Sequence, residues 1–418
     1  MACYWIEGGR RLSGEIEIQG AKNSALPILA AALMAEGESV IFHCPKIADT
    51  AVAGQILTYL GCSVRRQDEG LVVDSSGAEC RAIPERMMHR MRSSILFLGA
   101  MLSRFGRAEL TYPGGCPLGK RPINLHLAAL RQMGCQILEE GDTLFCEAPD
   151  GLKGETIRLP YPSVGATENI LLAAVYAKGE TILYNAAREP EICDLAAFLN
   201  RCGGSVRGAG TPVIRISGVK RLRGAAHTVI PDRIEAMTYL AAVGAAGGEL
   251  MLKYTCTRDM EIPLNVFSEC GLGLVSVDDM LYAVKKGRLT ACRNIITAPY
   301  PAFPTDVQPI MAAMLLFARG ESRITETVFS RRFDYLPQLE RLGARVCATA
   351  QEAVIQGGVP LTGGEIEATD LRGGAALCVA ALGAEGESKI SGVEHIRRGY
   401  EDIVGKLTSA GAAIREEA

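Results

Sequence analysis

The stretch PILAAALMAEG at residues 27–37 decides the fold, because five segments of the same kind follow it along the chain. Each is rich in alanine, apolar and ended by a glycine. The five are SILFLGAMLSRFG at 94–106, NILLAAVYAKG at 169–179, MTYLAAVGAAG at 237–247, IMAAMLLFARG at 310–320 and ALCVAALGAEG at 376–386. A segment that is apolar nearly all round predicts a helix buried on every side. We therefore expect six buried helices, each with its glycine as C-cap.

A second series of glycine-ended segments alternates with the first. These segments are amphipathic and lead into β-rich runs; their glycines are Gly61, Gly134, Gly203, Gly271, Gly343 and Gly411. Both series advance by 66 to 73 residues per step. Runs such as GEIEIQG at 14–20 and SVIFHC at 39–44 have strand character. The pattern predicts an α/β fold built from six βαβαββ-like repeats of about 70 residues.

Composition narrows the class of protein. The chain has 418 residues, of which 48% are hydrophobic and 22% charged, and its net charge is −3. This balance gives no reason to expect nucleic acid or an anionic membrane as partner, and the N-terminus lacks a signal-peptide pattern. Fourteen cysteines without a CxxC motif or a Cys/His cluster argue against zinc. We expect a cytoplasmic protein with free thiols and no metal.

The position fourteen residues before each glycine of the first series falls at the expected start of a buried helix. The residues there are Asn23, Arg92, Gly165, Arg233, Asp306 and Arg372. Capping explains Ser, Asn and Asp near these positions, and DRIE at 232–235 resembles a capping box. Capping does not explain Lys22, Arg92 or Arg372, because a cation at a helix N-terminus opposes the macrodipole unless an anion lies there. At Asp370 and in DRIE both explanations stay open.

Further arginines precede the amphipathic segments. They are Arg121, Arg188, Arg332 and Arg398. A guanidinium group suits carboxylates and phosphates because it can donate two parallel hydrogen bonds. Together with the basic residues at the helix starts, these arginines predict a site for a substrate that carries several negative charges.

Short motifs along the whole chain resemble the enolpyruvyl transferase family, and within it the enzymes that act on UDP-N-acetylglucosamine. The motifs are GAKN at 20–23, PGGC at 113–116, GKRP at 119–122, SVGAT at 163–167, NAAREPE at 185–191, PDRIE at 231–235, PAFPTD at 301–306, TETVF at 325–329, ATDLR at 368–372 and RRGYE at 397–401. The resemblance implies two domains of three repeats each, an inside-out α/β barrel. One domain would span residues 22–229, the other residues 1–21 and 230–418, with the active site in the cleft between them.

The resemblance also implies a reaction. The enolpyruvyl group of phosphoenolpyruvate would move to the 3-hydroxyl of UDP-N-acetylglucosamine with release of phosphate, the committed step of peptidoglycan precursor synthesis. These two small molecules would be the partners, with no cofactor and no obligatory protein partner. The phosphate, carboxylate and diphosphate of the substrates are anions of the kind that the arginines suit. Such a reaction needs a general acid for C3 of the donor and a base for the hydroxyl proton.

Cys116 and Asp306 carry the chemistry in this comparison. Cys116 would be the general acid, and an ordinary thiol is mostly protonated near neutral pH. Its glycine-rich loop could carry it over bound substrate and exclude water; a bystander thiol is the alternative. Asp306 would contact the 3-hydroxyl, with N-capping or mere positioning of the hydroxyl as alternatives.

The resemblance also implies binding residues at matching positions of this chain. Lys22 would be both a catalytic and a binding residue, and it would hold the phosphate of the donor together with Arg121 and Arg398. The donor or the intermediate would further contact Asn23, Arg92, Arg332 and Arg372. The sugar nucleotide would contact Asn23, Arg92, Arg121, Pro122, Ile123, Asn124, Leu125, Tyr161, Pro162, Ser163, Val164, Gly165, Asp306 and Val328.

Two positions depart from the family, and three other functions stay open. Many relatives have Lys where this chain has Tyr161, which Pro162 follows, and some have Asp where it has Asn124; both positions belong to the nucleotide side. One alternative is a transferase like 5-enolpyruvylshikimate-3-phosphate synthase, which shares the donor but lacks the PGGC loop. A second is a non-catalytic paralogue that binds UDP-sugar. A third is a repeat scaffold for protein partners.

Overall fold

The computed structural model describes residues 2–67, 70–114 and 122–417. Cys116 and Arg121, to which the resemblance gives roles, lie outside the described residues. The described chain forms two compact units. The first unit contains the described residues of 20–230, and the second unit contains those of 1–19 and 231–418.

The elements are numbered here in chain order. The elements up to residue 230 are β1 (Cys3–Glu7), β2 (Glu15–Glu17), α1 (Lys22–Ala32), β3 (Glu38–Phe42), α2 (Ala48–Tyr59), β4 (Ser63–Gln67), β5 (Gly70–Asp74), α3 (Glu85–Met88), α4 (Leu96–Phe105), β6 (Arg107–Thr111), α5 (Asn124–Gln132), β7 (Gln136–Glu140), β8 (Thr143–Glu147), β9 (Thr156–Arg158), α6 (Val164–Ala174), β10 (Glu180–Tyr184), α7 (Pro190–Arg201), β11 (Ser205–Arg207), β12 (Val213–Ser217) and β13 (Ala226–Thr228). A 3₁₀ helix, Arg92–Ile95, leads into α4.

The remaining elements all belong to the second unit. They are α8 (Arg233–Ala246), β14 (Gly248–Lys253), α9 (Glu261–Glu269), β15 (Leu272–Val277), β16 (Met280–Lys285), β17 (Leu289–Thr290), β18 (Ile295–Ile296), α10 (Gln308–Leu315), β19 (Ala318–Thr325), α11 (Leu336–Glu340), β20 (Arg345–Ala348), β21 (Glu352–Gly357), β22 (Glu365–Glu367), α12 (Leu371–Gly383), β23 (Glu387–Ser391), α13 (Val393–Ile396), α14 (Ile403–Ser409) and β24 (Ala413–Glu417). A second 3₁₀ helix, Thr257–Met260, leads into α9.

Each unit holds three open sheets within the described residues. In the first unit the strand orders are β13-β3-β5-β4, β6-β8-β7 and β11-β12-β10-β9. In the second unit they are β22-β23-β1-β24, β15-β16-β14-β2 and β17-β19-β21-β20, with β18 also paired to β19. Most pairs are antiparallel, but pairs such as β9 with β10 and β22 with β23 are parallel. This mixture of helices and mixed sheets confirms the predicted α/β class.

Two short strands, β2 and β13, lie next to the points where the chain passes from one unit to the other. Each strand pairs in one unit, and the helix that follows it in the sequence belongs to the other unit. Strand β2 precedes α1 of the first unit, yet it pairs in parallel with β14 of the second unit, where Ile16 lies opposite Leu252. Strand β13 precedes α8 of the second unit, yet it pairs in parallel with β3 of the first, where His227 lies opposite Ile41. The pairing of β2 with β14, together with that of β1 with β23 and β24, explains why the N-terminal residues belong to the second unit.

The six apolar segments are helical and buried, as their composition predicts. They form α1, α4 and α6 in the first unit and α8, α10 and α12 in the second. Residues 233–245 of α8 and 308–315 of α10 are all buried. The three helices of the second unit pack on one another, and α4 packs on both α1 and α6. Because each buried Leu, Ile or Met side chain contributes about 1.5–3 kcal/mol, these helices form the main core of each unit.

The predicted glycine C-caps are right for five of the six glycines of the second series and mostly wrong for the first; Gly343 lies two residues beyond the C-cap residue of α11, Arg341. Gly61, Gly134, Gly203, Gly271 and Gly411 directly follow the C-cap residue of their helices and have positive φ. In the first series only Gly106 and Gly247 lie at a helix end, while Gly320 lies inside β19. Helices α1 and α6 end at Ala32 and Ala174, several residues before Gly37 and Gly179. There the glycine, at φ of 86° and 98°, turns the chain into the next strand.

The capping box predicted at 232–235 is half right. Asp232 caps α8, since its Oδ1 accepts from the amides of Ile234 at 2.9 Å and Glu235 at 3.1 Å. Glu235 does not return a bond to the amide of Asp232, which donates instead to the carbonyl of Gln19 at 2.9 Å. The carboxylate of Glu235 accepts from the amide of Gln19 at 2.7 Å and from Nζ of Lys406 at 2.8 Å. The buried Glu235 therefore ties α8 to the N-terminal segment and to α14.

Candidate active site

A buried ion pair lies at the start of α1 in the first unit. Nζ of Lys22 lies 2.8 Å from Oδ2 of Asp49, and the two side chains are only 9% and 3% exposed. Asp49 is the second residue of α2, and Asn23, which is half-buried, follows Lys22 in α1. The N-cap residue of α1, Ala21, offers no side-chain cap. The carboxylate offsets the cost of placing an ammonium group at the positive end of a helix.

A hydrogen-bonded network joins α5, α6 and the turn that carries Arg92. Nδ2 of Asn169 donates to the carbonyl of Ile95 at 2.9 Å and lies 2.9 Å from Nδ1 of His126. Because an amide nitrogen only donates, Nδ1 of His126 accepts and the proton of the neutral ring lies on Nε2. Burial, with a smaller effect of the Arg92 charge, lowers the pKa of His126 to about 4. A Cβ added to Gly165 would lie 3.2 Å from Cε1 of His126, so the ring lies against the start of α6.

The residues expected on the nucleotide side lie at the starts of α5 and α6. Asn124 begins α5 and is exposed, as is Pro122, whereas Ile123 is buried and Leu125 half-buried. Ser163 caps α6, since its Oγ accepts from the amide of Ala166 at 3.4 Å. Around that cap Tyr161 is exposed, while Pro162, Val164 and Gly165 are half-buried.

The second unit brings three predicted residues together. Oδ1 of Asp306 accepts from Nη2 of Arg332 at 2.5 Å, and Oδ2 accepts from Nη2 of Arg372 at 3.2 Å and from its Nε at 3.3 Å. The arginine side chains are 1% and 4% exposed, whereas that of Asp306 is 28% exposed. Asp306 precedes α10, whose N-cap is Val307, so N-capping is wrong as the role of Asp306. These three side chains together carry one net positive charge.

Arg372 retains unused hydrogen-bonding capacity. Its Nη1 is buried and has no hydrogen-bond partner among the described residues, although a buried donor without a partner is costly. Burial lowers the pKa of Arg372, but the carboxylate of Asp306 and other neighbours outweigh that effect and the pKa is raised. The guanidinium lies 5.8 Å from the ring centre of Tyr400. A permanently charged group with an unpaired N–H is suited to an anion.

Glu326 supports this cluster and was not selected from the sequence. The carboxylate is buried and accepts from Oγ1 of Thr305 at 3.0 Å and from the amides of Val328 at 2.8 Å and Phe329 at 3.1 Å. The carbonyl of Thr305 accepts from Nε of Arg332 at 3.0 Å. Glu326 therefore ties PAFPTD to TETVF. The sequence signal for Glu326 was a charged residue placed between two threonines and next to apolar residues. In the first unit, the equivalent signal was the polar Asn169 at the start of an apolar segment.

Arg398 is half-buried just after α13, and its amide donates to the carbonyl of His395 at 3.3 Å. Within the described ranges there is no group of three or more His, Cys, Asp or Glu residues arranged to hold a metal ion. No helix in the described part of the chain has the length and apolar character needed to cross a membrane.

Comparison with known proteins assigns the family. The family model of EPSP synthase (3-phosphoshikimate 1-carboxyvinyltransferase) matches residues 6–407. A relative from Caldanaerobacter subterraneus subsp. tengcongensis, named UDP-N-acetylglucosamine 1-carboxyvinyltransferase 2, is 45% identical over 414 residues and 99% of both chains. UDP-N-acetylglucosamine 1-carboxyvinyltransferase 1 of Symbiobacterium thermophilum is 45% identical over 98% of this chain and 94% of its own.

Solved structures agree with this assignment. The enolpyruvyl transferase NikO from Streptomyces tendae matches with a TM-score of 0.91 and 28% identity over 99% of this chain and 98% of that one. EPSP synthase from Acinetobacter baumannii shares the fold, with a TM-score of 0.77 at 21% identity over the full length of both. The chain therefore belongs to the EPSP synthase family of enolpyruvyl transferases. Within that family, its relatives at 45% identity are the UDP-N-acetylglucosamine 1-carboxyvinyltransferases.

Proposed function

We propose that the chain transfers the enolpyruvyl group of phosphoenolpyruvate to the 3-hydroxyl of UDP-N-acetylglucosamine and releases phosphate, the committed step of peptidoglycan precursor synthesis. The observation that carries the proposal is the cluster of the partly exposed Asp306 with the buried Arg332 and Arg372, in which Nη1 of Arg372 has no hydrogen-bond partner among the described residues. Full-length relatives named for this activity support it. The reaction would take place in the cytoplasm.

The second unit would supply the group that faces the hydroxyl. Two arginines hold both oxygens of Asp306, so the carboxylate keeps one orientation while remaining partly exposed. In that state it can accept a hydrogen bond from the 3-hydroxyl and take its proton as C2 of the donor is attacked. Nη1 of Arg372 would bind an oxygen of the donor's phosphate or carboxylate. Arg332 and Arg398 would share the remaining negative charge of the donor, and Val328 would contact the sugar.

Residues of the first unit would bind the phosphate and the nucleotide. Lys22 would hold the donor phosphate with Arg121, Asn23 would contact both substrates, and Arg92 would bind the donor. The nucleotide would lie along the starts of α5 and α6, where residues 122–125 and 161–165 are found. We assign Cys116 as the acid that protonates C3, on its match to the PGGC motif.

We also propose a finer architecture. The six glycine-ended apolar segments would mark six copies of one βαβαββ-like unit, three in a domain of residues 22–229 and three in a domain of residues 1–21 and 230–418. The succession β9, α6, β10, α7, β11 and β12, with β9 parallel to β10, supports such a unit. The whole would be the inside-out α/β barrel of the family.

Phosphate release tests the function. The purified chain should release phosphate from phosphoenolpyruvate when UDP-N-acetylglucosamine is added, and not when shikimate 3-phosphate is added instead. Phosphate release with shikimate 3-phosphate as acceptor, and none with UDP-N-acetylglucosamine, would favour an activity like that of 5-enolpyruvylshikimate-3-phosphate synthase. Binding of UDP-N-acetylglucosamine in a calorimeter without any turnover would identify a non-catalytic paralogue.

Chemical labelling tests the assignment of Cys116. The epoxide fosfomycin, a phosphonate that resembles the donor, should alkylate Cys116 and abolish activity. A Cys116→Asp variant should keep some activity, because a carboxylic acid can also donate a proton, and should resist the epoxide, because a carboxylate is the weaker nucleophile. Peptide mass mapping that finds the label on another cysteine would remove this role from Cys116.

A further inference from the structure

Strand β15 of the second unit is an edge strand without a charged residue. The edge strands of four or more residues in the described part of the chain are β4, β6, β7, β15, β20 and β24. Every one of them except β15, whose sequence is LGLVSV, contains arginine or glutamate. Charged side chains are one means by which proteins prevent the free edge of a sheet from pairing with another chain. Strand β15 lacks this protection.

One edge of β15 is fully paired, and the other edge has no neighbouring strand among the described residues. All six residues pair with β16 in antiparallel register, from Leu272 opposite Lys285 to Val277 opposite Met280. Strand β15 ends the strand order of its sheet. Alternate residues of an edge strand direct their amide and carbonyl groups away from the sheet. The free edge of β15 therefore presents a row of backbone donors and acceptors to solvent.

The outer face of the sheet is apolar beside this free edge. Val275 and Val277 are 59% and 56% exposed, and they lie opposite the half-buried Tyr282 and Met280 of β16. The alternate residues of β15 point to the other face, where Leu272 belongs to the core of the unit. Single exposed apolar side chains are common, but a group of them at an open sheet edge is typical of an interaction surface.

The two ends of the hairpin formed by β15 and β16 carry opposite charges. The turn after β15 consists of two exposed aspartates at 278–279. At the other end Leu272 lies opposite Lys285, the first residue of the segment KKGR at 285–288. Glu269, near this end in α9, offsets one of these three positive charges. The hairpin therefore has a negative turn at one end and an excess of positive charge at the other.

We propose that β15 pairs antiparallel with β15 of a second copy of this chain, about a two-fold axis near the middle of the strand. The sheets of the two copies then form one continuous sheet, and the Val275 side chains of both copies pack together near the axis. The aspartate turn of each copy lies beside the KKGR segment of the other, so opposite charges meet at both ends of the interface.

This charge pattern is the reason to choose a second copy as the partner. A two-fold axis normal to the sheet makes the paired strands antiparallel, and the surface must then be complementary to itself. A parallel arrangement would place the two aspartate turns side by side and would be opposed by repulsion between like charges. The pairing lies outside the residues assigned to the transferase reaction and is independent of that proposed function.

Sedimentation equilibrium of the full-length protein over about 1–500 µM tests the proposal. We expect a weak, reversible dimer, because an interface built on one short strand is small. Val275→Lys places a cation near the axis, where it meets the same cation of the second copy, and should raise the dimer dissociation constant at least about tenfold. Leu138→Lys is the matched control and should leave the constant unchanged, since Leu138 is 56% exposed on the edge strand β7.

An exchange of charges tests the orientation of the strands. Asp279→Lys should weaken the dimer, because the new cation lies beside Lys286 of the second copy, and Lys286→Glu should weaken it by the same mechanism. The double variant Asp279→Lys with Lys286→Glu brings opposite charges together again and should recover the wild-type constant. Within one chain these two residues are about 20 Å apart along the extended strand, so the recovery has to come from the contact between copies.

Hydrogen exchange followed by mass spectrometry locates the interface. The peptide that covers β15 should exchange more slowly at high protein concentration, whereas the peptide that covers β7 should exchange at the same rate. Folding of each variant is checked by circular dichroism. The proposal is overturned if the wild type stays monomeric over the whole concentration range, if Val275→Lys dimerises like the wild type, if Leu138→Lys weakens the dimer equally, or if the charge exchange does not restore it.

Discussion

The two units place charge at their helix starts in different ways. In the first unit Lys22 and Asp49 form a buried pair of one cation and one carboxylate at the start of α1. In the second unit two buried arginines share the carboxylate of Asp306, and Nη1 of Arg372 has no hydrogen-bond partner in the described part of the chain. A carboxylate beside a single buried cation offsets the cost of burying that cation, whereas two arginines that share the partly exposed carboxylate of Asp306 are suited to bind a further anion. The cluster of Asp306, Arg332 and Arg372 is therefore the better candidate for binding an anionic substrate.

The largest expected effect comes from replacing Arg372. Arg372→Met should lose a charge-assisted bond to the donor and the ion pair that its Nε and Nη2 make with Asp306. The two interactions contribute about 3–6 kcal/mol together, so kcat/KM for phosphoenolpyruvate should fall roughly 10²- to 10⁴-fold. Steady-state kinetics measures this. Arg415→Met, at a position whose side chain is 54% exposed, is the control and should leave kcat/KM unchanged. Equal kinetics of both variants would mean that Arg372 serves the fold alone.

The pair of Lys22 and Asp49 should affect the stability of the fold, in addition to any effect of Lys22 on donor binding. Lys22→Met leaves the carboxylate of Asp49 buried without its cation and should lower the free energy of unfolding by about 3–5 kcal/mol. The double variant Lys22→Met with Asp49→Leu should recover much of that loss, because no uncompensated charge remains. Urea denaturation of the wild type, both single variants and the double variant gives the coupling energy. Additive losses would show that the two side chains act independently.

The pH dependence of stability offers a third test, confined to the first unit. The pKa of His126 is lowered to about 4 in the fold, whereas an unfolded histidine titrates near 6.5. Between these values the unfolded chain binds a proton that the folded chain does not, so stability falls as the pH drops through this window. The total loss should be about 3 kcal/mol.

The matched variants for this test are two histidine substitutions. His126→Asn should remove the extra loss of stability between neutral and acid pH, as followed by urea denaturation at several pH values. His89→Asn, at a side chain that is 46% exposed, should keep the wild-type curve. Parallel curves for the wild type and His126→Asn would assign the acid sensitivity to other groups.

The smallest effects concern capping, in which the two units should behave alike. Asp370 caps α12 by accepting from the amides of Arg372 and Gly373, and Ser163 caps α6 through the amide of Ala166. Asp370→Ala and Ser163→Ala should each cost about 1 kcal/mol of stability. Thermal denaturation checks this. A much larger loss at Asp370 would show that it also supports the arginine cluster, because one of the two amides that it accepts from belongs to Arg372.

Local patterns in the sequence determined the α/β class, the six buried helices and the helix starts near which Lys22, Arg92 and Asp306 lie. These features depend on neighbours within one or two turns, such as apolar side chains on every face and a carboxylate two residues before an amide. The first-series glycine caps failed for the same reason. A glycine near the end of an apolar run predicts a turn with positive φ, but not whether the helix lasts until that turn.

The tertiary structure alone decided which distant groups meet. Asp306, Arg332 and Arg372 come from three separate segments, and their shared hydrogen bonds depend on how α10, α12 and the TETVF region pack. The same holds for the neutral His126 against Asn169, for Glu326, and for the pairing of β2 with β14 and of β13 with β3. A hydrogen bond needs its two atoms within about 3 Å, and the local sequence does not specify that distance between residues far apart in the chain.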